Sequence, residues 1–182
     1  VWQVSPHVFK FRGPSFAPNF YMILAEGGKA LVVDCGLIQT NILDTALEGM
    51  RQKLGLKAID AMVLTHMHGD HFLQAPHLKK NWGTQFWALD RMKEVCERPE
   101  AFDYAAPIQA YGNGVERIKF DRLFKSGETF DWEGFHFTID WMPGQTEFGL
   151  CLTGMIDGRK VAFTGDNIFG NPADPKQSGH EA

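Results

Sequence analysis

Residues 61–71 read AMVLTHMHGDH, so an apolar run typical of a buried strand leads directly into a turn crowded with histidine and aspartate. Four strong metal-binding side chains stand within six residues: His66, His68, Asp70 and His71. Imidazole and carboxylate suit zinc, iron or manganese, whereas a soft copper site would favour thiolates. The turn is therefore predicted to bind metal; an exposed cluster without a ligand is the alternative.

The spacing within this turn indicates two metal positions. His66 and His68 are two residues apart, so on an extended turn both side chains project to the same side. Asp70 and His71 are adjacent and must diverge, which directs them to a second position nearby. Two cations about 3.5–4 Å apart can activate a shared water.

Segments on both sides of the turn alternate between strand and helix patterns. Residues 21–34 indicate a hairpin, and residues 40–54 have the apolar spacing of an amphipathic helix. In the second half, residues 130–139 and 148–163 indicate two hairpins, the latter around an Asp-Gly turn. We therefore predict a mixed α/β domain with helices covering a central sheet.

Composition excludes several classes of function. The 182 residues carry a net charge of −4 without a Lys/Arg-rich run, so no nucleic-acid partner is predicted. No apolar run reaches the roughly 18 residues that span a bilayer, so no membrane helix is predicted. Three cysteines without paired spacing argue against a disulfide framework and favour a cytoplasmic location.

The His-x-His-x-Asp-His motif after an apolar strand resembles the metal motif of the metallo-β-lactamase superfamily. Three further landmarks occur in the order typical of that family, one before this motif and two after it. They are Asp34 at a strand end, the Pro143-Gly144-Gln145-Thr146 element, and Asp166 after Phe163-Thr164-Gly165. The resemblance implies a four-layer αββα sandwich with the metals at one edge between two sheets.

The resemblance also implies roles for the individual residues. His66 and His68 would bind a first metal, and Asp70 and His71 a second. Asp166 would bridge the two ions, and Asp34 would support the histidines from behind. Asp70 would act catalytically by orienting water and passing its proton to the leaving group. One or two zinc ions are expected, with iron or manganese as alternatives.

Gln145 departs from the family pattern, because a third histidine of the first site usually stands there. An amide oxygen is a weak, neutral ligand compared with imidazole, so affinity at the first site should fall. Three interpretations stay open: a dinuclear centre with a loosely held first metal, a single metal in the second site, and an inactive domain.

A second departure concerns the last metal-binding histidine of the family. His180 lies in a Ser-Gly-His-Glu context that resembles hydroxyacylglutathione hydrolases, but it follows Asp166 by only 14 residues. We expect His180 to lie in a loop or at a helix start. Residues 1–182 are accordingly expected to form one domain that lacks its final helix and strand, with the true ligand beyond Ala182.

Two functions from different classes remain. The first is a metal-dependent hydrolase of a small ester, thioester, lactone or similar substrate. Tyr104 and Tyr111, in an irregular connection rich in Pro and Gly, are the predicted pocket residues. The second is a non-catalytic binding or regulatory domain of a longer protein. Homo-oligomerisation and further domains are left open by the sequence.

Overall fold

A computed structural model describes residues 1–13, 18–101 and 117–168 of the chain. The larger of its two sheets has seven strands, which are hydrogen-bonded in chain order. They are β1 (Trp2–Gln3), β2 (Val8–Arg12), β3 (Asn19–Leu24), β4 (Lys29–Val33), β5 (Ala58–Val63), β6 (Gln85–Leu89) and β7 (Arg122–Phe124). The first four strands are antiparallel and β4 to β7 are parallel, so the connections between the last four must cross over the sheet.

Three helices make these crossovers: α1 (Thr40–Leu54), α2 (Ala75–Trp82) and α3 (Lys93–Glu97). Because parallel crossovers are right-handed and the strand order advances in one direction, the helices share one face of the sheet. The helix predicted over residues 40–54 is confirmed at both bounds. Gly55 ends it with φ +72° and donates its backbone N–H to the carbonyl of Met50.

The second sheet has four antiparallel strands in the order β11-β10-β9-β8. They are β8 (Glu128–Trp132), β9 (Phe135–Trp141), β10 (Leu150–Ile156) and β11 (Arg159–Phe163). The two hairpins predicted here are confirmed. Their turns, Glu133-Gly134 and Asp157-Gly158, have positive φ at both residues, which matches the twist of the flanking strands.

Aromatic side chains join the two sheets. Trp87 of β6 packs edge-on against Phe130 of β8 with ring centroids 5.5 Å apart, and Phe124 of β7 lies 5.0 Å from the same ring. At the other end, Tyr21 of β3 meets Phe163 of β11 at 5.3 Å. The helices, the first sheet and the second sheet are thus three successive layers around apolar cores. They correspond to three layers of the predicted four-layer αββα sandwich, and the described residues contain no helix layer on the second sheet.

The strand ends determine where the metal-binding motif lies. Val33 and Val63 are register partners at the ends of the parallel strands β4 and β5, so Asp34 and the turn from Leu64 emerge at the same edge. Strand β11 ends at Phe163, shortly before Asp166. Among the described residues no helix has the length and apolar character needed to cross a membrane.

Candidate metal centre

Three metal-binding side chains from two parts of the chain meet at this edge. The cluster contains one ligand atom from each of three residues, His66, His71 and Asp166, and these three atoms lie within 4.8 Å of one another. Both imidazoles are buried, with centroids 4.0 Å apart, whereas the Asp166 side chain is 28% exposed. Nε2 of His71 lies 3.3 Å from Oδ2 of Asp166. The cluster therefore has a buried side and a side open to approach.

Asp34 holds the histidine turn in place from behind. Its Oδ1 accepts the backbone N–H of Thr65 at 2.8 Å, and its Oδ2 accepts the Thr65 hydroxyl at 2.7 Å. The same Oδ2 lies 2.8 Å from Nδ1 of His71. Asp34 is 3% exposed and has φ +60°, a backbone conformation that costs a non-glycine residue about 1 kcal/mol or more. The buried hydrogen bonds compensate for that strain.

The hydrogen bond from Asp34 also orients His71. A proton on Nδ1 that is donated to the carboxylate leaves the lone pair of Nε2 directed at the cluster, which is the arrangement of a metal-binding histidine. Asp34 therefore lies behind His71, and its role in supporting a metal ligand stays a prediction.

The loop after β4 holds the backbone of the motif. Cys35 donates its N–H to the carbonyl of His71 at 2.6 Å, and Leu37 donates to the carbonyl of Asp70 at 3.1 Å. Gly36 between them is required by this close approach, because a Cβ there would stand 1.3 Å from the Asp70 carbonyl oxygen. The 3₁₀ turn Gly69–His71 is thereby fastened to the first sheet.

The second sheet supplies Gln145 and Asp166 on adjacent loops. Asn167 joins these loops: its Oδ1 accepts the N–H of Gln145 at 2.9 Å, and its Nδ2 donates to the carbonyl of Met142 at 2.8 Å. Nε2 of Gln145 donates to Oδ2 of Asp166 at 3.4 Å. The Gln145 amide therefore lies beside the cluster, where the third histidine was expected from the family pattern.

Gly165 allows the Asp166 loop to approach the histidines. Its φ is +55°, and a Cβ there would lie 2.6 Å from Oγ1 of Thr65 and 3.0 Å from Nδ1 of His66. Both the conformation and the space therefore require glycine.

Three polar atoms at the centre are buried without a hydrogen-bond partner: Oδ1 of Asp70, Nε2 of His71 and Oε1 of Gln145. They are the only such side-chain atoms in the part of the chain that the structure describes. Buried polar atoms are rarely left unpaired, because each costs about 1–3 kcal/mol. Three on neighbouring side chains indicate a bound group that accepts lone pairs, as a metal ion does.

In the metal-free protein, the pKa values of His66 and His71 shift in opposite directions. Burial lowers the pKa of His71, but the carboxylates of Asp34 and Asp166 outweigh it and raise the value to about 10. Burial and the neighbouring imidazoles of His71 and His68 lower the pKa of His66 to about 2. Burial raises the pKa of Asp70. In the metal-free chain the second proton of His71 is on Nε2, which faces Oδ2 of Asp166, and a bound cation would replace that proton.

The structure brings most of the predicted ligands together. His68 adjoins the cluster, with its Nδ1 3.2 Å from Nε2 of His66, and Asp70 is buried in the same turn. The cluster combines His66 with His71 and Asp166, and the division into two metal positions stays a prediction. Tyr104, Tyr111 and His180 lie outside the described residues.

Two residues of the centre were not predicted from the sequence. Thr65 binds Asp34 through both its N–H and its hydroxyl, and Asn167 joins the two loops of the second sheet. Each is adjacent to a predicted ligand, but adjacency alone does not reveal a hydrogen bond to a residue 31 or 22 positions away.

A cavity of about 810 Å³ opens beside the cluster. Asp70, His71, Gln145 and Asp166 line one part of it. The facing strands β2, β3 and β11 line the rest, including Lys10, Asn19, Tyr21 and Phe163. Its volume is that of a small-molecule site.

Comparison with known proteins gives one family. Residues 14–178 match the sequence model described as the metallo-beta-lactamase superfamily. Among curated proteins, the chain is 25% identical over 157 residues to a hydroxyacylglutathione hydrolase of Xylella fastidiosa, covering 86% of this chain and 48% of that protein. It is 23% identical over 185 residues to an atrochrysone carboxyl ACP thioesterase of Cryptosporiopsis sp., covering 94% and 46%. The chain thus spans about half the length of these curated relatives.

Solved structures with the same fold include two subclass B3 metallo-beta-lactamases. BJP-1 of Bradyrhizobium japonicum matches with a TM-score of 0.63 and 24% identity, over 80% of this chain and 55% of that one. BLEG-1 matches with a TM-score of 0.70 and 19% identity, over 89% and 73%. The two packed sheets described above are therefore the sheets of that fold, which confirms the fold class predicted from the sequence.

Proposed function

This chain belongs to the metallo-beta-lactamase superfamily, and on that premise we propose that it is a metal-dependent hydrolase acting on a small ester, thioester or lactone. The observation that carries the proposal is the convergence of His66, His71 and Asp166 within 4.8 Å, beside three buried polar atoms that lack hydrogen-bond partners. Such a set has a strong requirement for a cation and an adjoining cavity for a substrate.

The donor set fits zinc. Two neutral imidazoles and a carboxylate are the ligands that zinc prefers, and iron or manganese would accept the same atoms. His66, His71 and Asp166 would hold the ion, with His68 and Asp70 beside them and Gln145 as a weak ligand. A bound divalent ion would supply Lewis acidity and lower the pKa of a coordinated water toward neutrality.

The protein residues have separate tasks in this proposal. Asp70 accepts a hydrogen bond from the attacking water through its unpaired Oδ1 and passes a proton to the leaving group. Asp34 does not contact substrate; it keeps His71 in the tautomer and orientation that a ligand needs.

Gln145 distinguishes this centre from the usual family pattern. Its unpaired Oε1 is available as a neutral ligand, while its Nε2 already donates to Asp166. We propose that the position next to Gln145 binds a metal more weakly than the rest of the centre. A single tightly held ion, with a second that is readily lost, is the expected stoichiometry.

Thioesters are the first substrates to test, because one of the curated relatives is named a thioesterase and others are named hydroxyacylglutathione hydrolases. A small-molecule substrate also suits the volume of the cavity.

Elemental analysis of chain purified without chelator tests the proposal, and at least one transition metal per chain is expected. Removal of that metal should abolish thioesterase and esterase activity, and zinc should restore it. Stably folded protein that takes up no metal would contradict the proposal. It would favour the second candidate, a non-catalytic binding domain, for which the replacement of a histidine by Gln145 is the supporting observation.

The variant Gln145→His tests the weak position directly. Imidazole is a much stronger zinc ligand than an amide, so the zinc content should rise toward two ions per chain. Gln145→Asn, which keeps the amide but shortens the side chain, is the matched control and should not increase the zinc content. Unchanged stoichiometry in Gln145→His would place Gln145 outside the set of ligands.

A further inference from the structure

The wall of the cavity that the first sheet forms carries residues that the proposed reaction does not use. Lys10 of β2, Tyr21 of β3 and Val33 of β4 lie in one row, since Lys10 pairs with Tyr21 and Tyr21 pairs with Val33. All three line the same cavity as His71 and Asp166. Val33 immediately precedes Asp34, so this row leads directly to the centre.

Lys10 has no counter-charge among the described residues. It is only partly exposed, yet no hydrogen bond or ion pair of its ammonium group exists within residues 1–13, 18–101 and 117–168. By contrast, the more exposed Lys29 and Lys79 contact the carboxylates of Glu133 and Asp121, each at 2.8 Å. Partial burial of an unpaired cation is costly, and an anion brought into the cavity would offset that cost.

Two neighbouring groups add hydrogen-bond donors to the same wall. The Tyr21 ring packs on Phe163, and within the described part of the chain its hydroxyl has no hydrogen-bond partner. Asn19 pairs with Arg12, two residues along the strands from the pair of Lys10 and Tyr21, and it lines the same cavity. An ammonium, a phenol and an amide together are suited to an acceptor-only group such as a carboxylate or phosphate.

The strand spacing gives the size of ligand required. Neighbouring strands lie about 4.8 Å apart, so the backbone of Lys10 is about 10 Å from that of Val33, at the margin of the metal centre. An anionic group held by Lys10 would therefore belong to the far end of a substrate whose scissile carbonyl lies at the centre.

We propose that Lys10, assisted by Tyr21 and Asn19, is a specificity-determining residue that binds the anionic end, carboxylate or phosphate, of an acyl substrate. This proposal rests on the proposed hydrolase function and deepens it by naming the substrate class. Acyl chains that end in an anion are hydrolysed in preference to neutral acyl chains of the same length.

Matched substrates and matched variants test this assignment. The zinc-loaded chain is assayed with the para-nitrophenyl esters of hexanoate, of adipate and of a phosphate-terminated hexanoate. In Lys10→Gln, KM for the anionic esters should rise roughly tenfold to a hundredfold, the range expected for loss of one charge-assisted hydrogen bond. The neutral ester should change less than about twofold. Lys80→Gln, an exposed lysine on α2, is the control and should leave all three unchanged.

The anionic ester with the larger effect identifies whether carboxylate or phosphate is the preferred group. Lys10→Arg should retain most of the preference, because it keeps the charge, and Tyr21→Phe should weaken it while keeping the contact with Phe163. Equal changes for neutral and anionic esters in Lys10→Gln would overturn the assignment while leaving the hydrolase function intact.

Binding of an unreactive analogue separates failure of this assignment from failure of the hydrolase function. Adipic acid monoamide carries the anionic end without a scissile ester, and hexanamide lacks the anion. Saturation-transfer NMR on the zinc-loaded chain should show adipic monoamide binding that Lys10→Gln weakens, even if no ester is hydrolysed. Binding that is indifferent to Lys10 would overturn the assignment independently of catalysis.

Discussion

The two halves of the metal centre are built differently. The half from the first sheet is buried and tied by the Asp34 carboxylate to both Thr65 and His71. In the half from the second sheet, Asp166 is more exposed. The side chains of Gln145 and Asp166 contact each other through one long hydrogen bond of 3.4 Å, while Asn167 joins their loops. We therefore expect the half from the first sheet to be the more rigid of the two.

Removal of Asp34 should have the largest effect on the half from the first sheet. Asp34→Ala leaves Thr65 without its partners and His71 without its orienting carboxylate, so the free energy of unfolding should fall by about 3–5 kcal/mol. Zinc affinity should fall by about tenfold to a hundredfold. Urea unfolding and competition with a chelator measure the two effects.

Asp44→Ala is the control for the loss of an Asp–His pair. Asp44 contacts His77 at 2.6 Å but is 52% exposed, so its removal should cost less than about 1 kcal/mol. If Asp34→Ala cannot be purified folded, Asp34→Asn is the milder substitute. Equal losses of stability in the Asp34 and Asp44 variants would contradict the expectation that Asp34 makes the half from the first sheet rigid.

Asp166 should show the opposite balance between binding and stability. Asp166→Asn removes a charged ligand, so zinc affinity should fall more than about tenfold. The free energy of unfolding of the metal-free chain should fall by about 1–2 kcal/mol, less than in Asp34→Ala, because this side chain is partly exposed and its contacts with Gln145 and His71 are long, at 3.4 and 3.3 Å. A large loss of stability without metal would show that the second half is as rigid as the first.

Gly165 lies where the Asp166 loop of the second half contacts Thr65 and His66 of the first half. Gly165→Ala should destabilise the chain by about 1 kcal/mol for its positive φ and by a further amount for the contact with Thr65 and His66. Gly158→Ala has a similar φ of +71° but no atom within 4 Å of the added Cβ, so it isolates the backbone effect. Thermal unfolding should show a larger loss of stability in Gly165→Ala than in Gly158→Ala. Equal losses would mean that the loop of Gly165 can shift to accommodate the added methyl group without cost.

The smallest expected effect lies at a second connection between the sheets. His7 bonds to Asp157 in the β10–β11 turn, and this contact raises the pKa of His7. Burial opposes the shift in the pKa of Asp157, but hydrogen bonds from Ser5 and His7 lower it. The contribution of His7 to the free energy of unfolding is complete below its pKa in the unfolded chain, about 6.5. It is lost as the pH rises through the higher pKa of His7 in the folded chain.

The contribution of Asp157 to the free energy of unfolding is complete above its pKa in the unfolded chain, 3.8, and is lost as the pH falls through its lower pKa in the folded chain. The ion pair therefore stabilises the fold most between pH 3.8 and about 6.5. Wild type should exceed His7→Gln in stability by up to about 1 kcal/mol near pH 5.5, and the difference should shrink near pH 8.5. If the difference in stability between wild type and His7→Gln does not depend on pH, the packing of His7 against Phe135 accounts for that difference rather than the ion pair.

Much of the fold follows from local sequence patterns. The helix over residues 40–54 ends at Gly55 because apolar spacing and a left-handed cap act within a few residues. The hairpin turns at Glu133-Gly134 and Asp157-Gly158 are equally local. The depth of burial of Asp34, by contrast, has no local signal.

The candidate ligand atoms and their order along the chain can be predicted from the amino-acid sequence alone, because side-chain chemistry and strand ends are local properties. Only the tertiary structure decided that His66 joins His71 and Asp166 in one cluster, that Asn167 couples two loops, and that Lys10 faces the same cavity. These contacts join residues far apart in the chain. Their geometry depends on how two sheets pack, and packing is set by the shapes of many side chains together rather than by any short pattern.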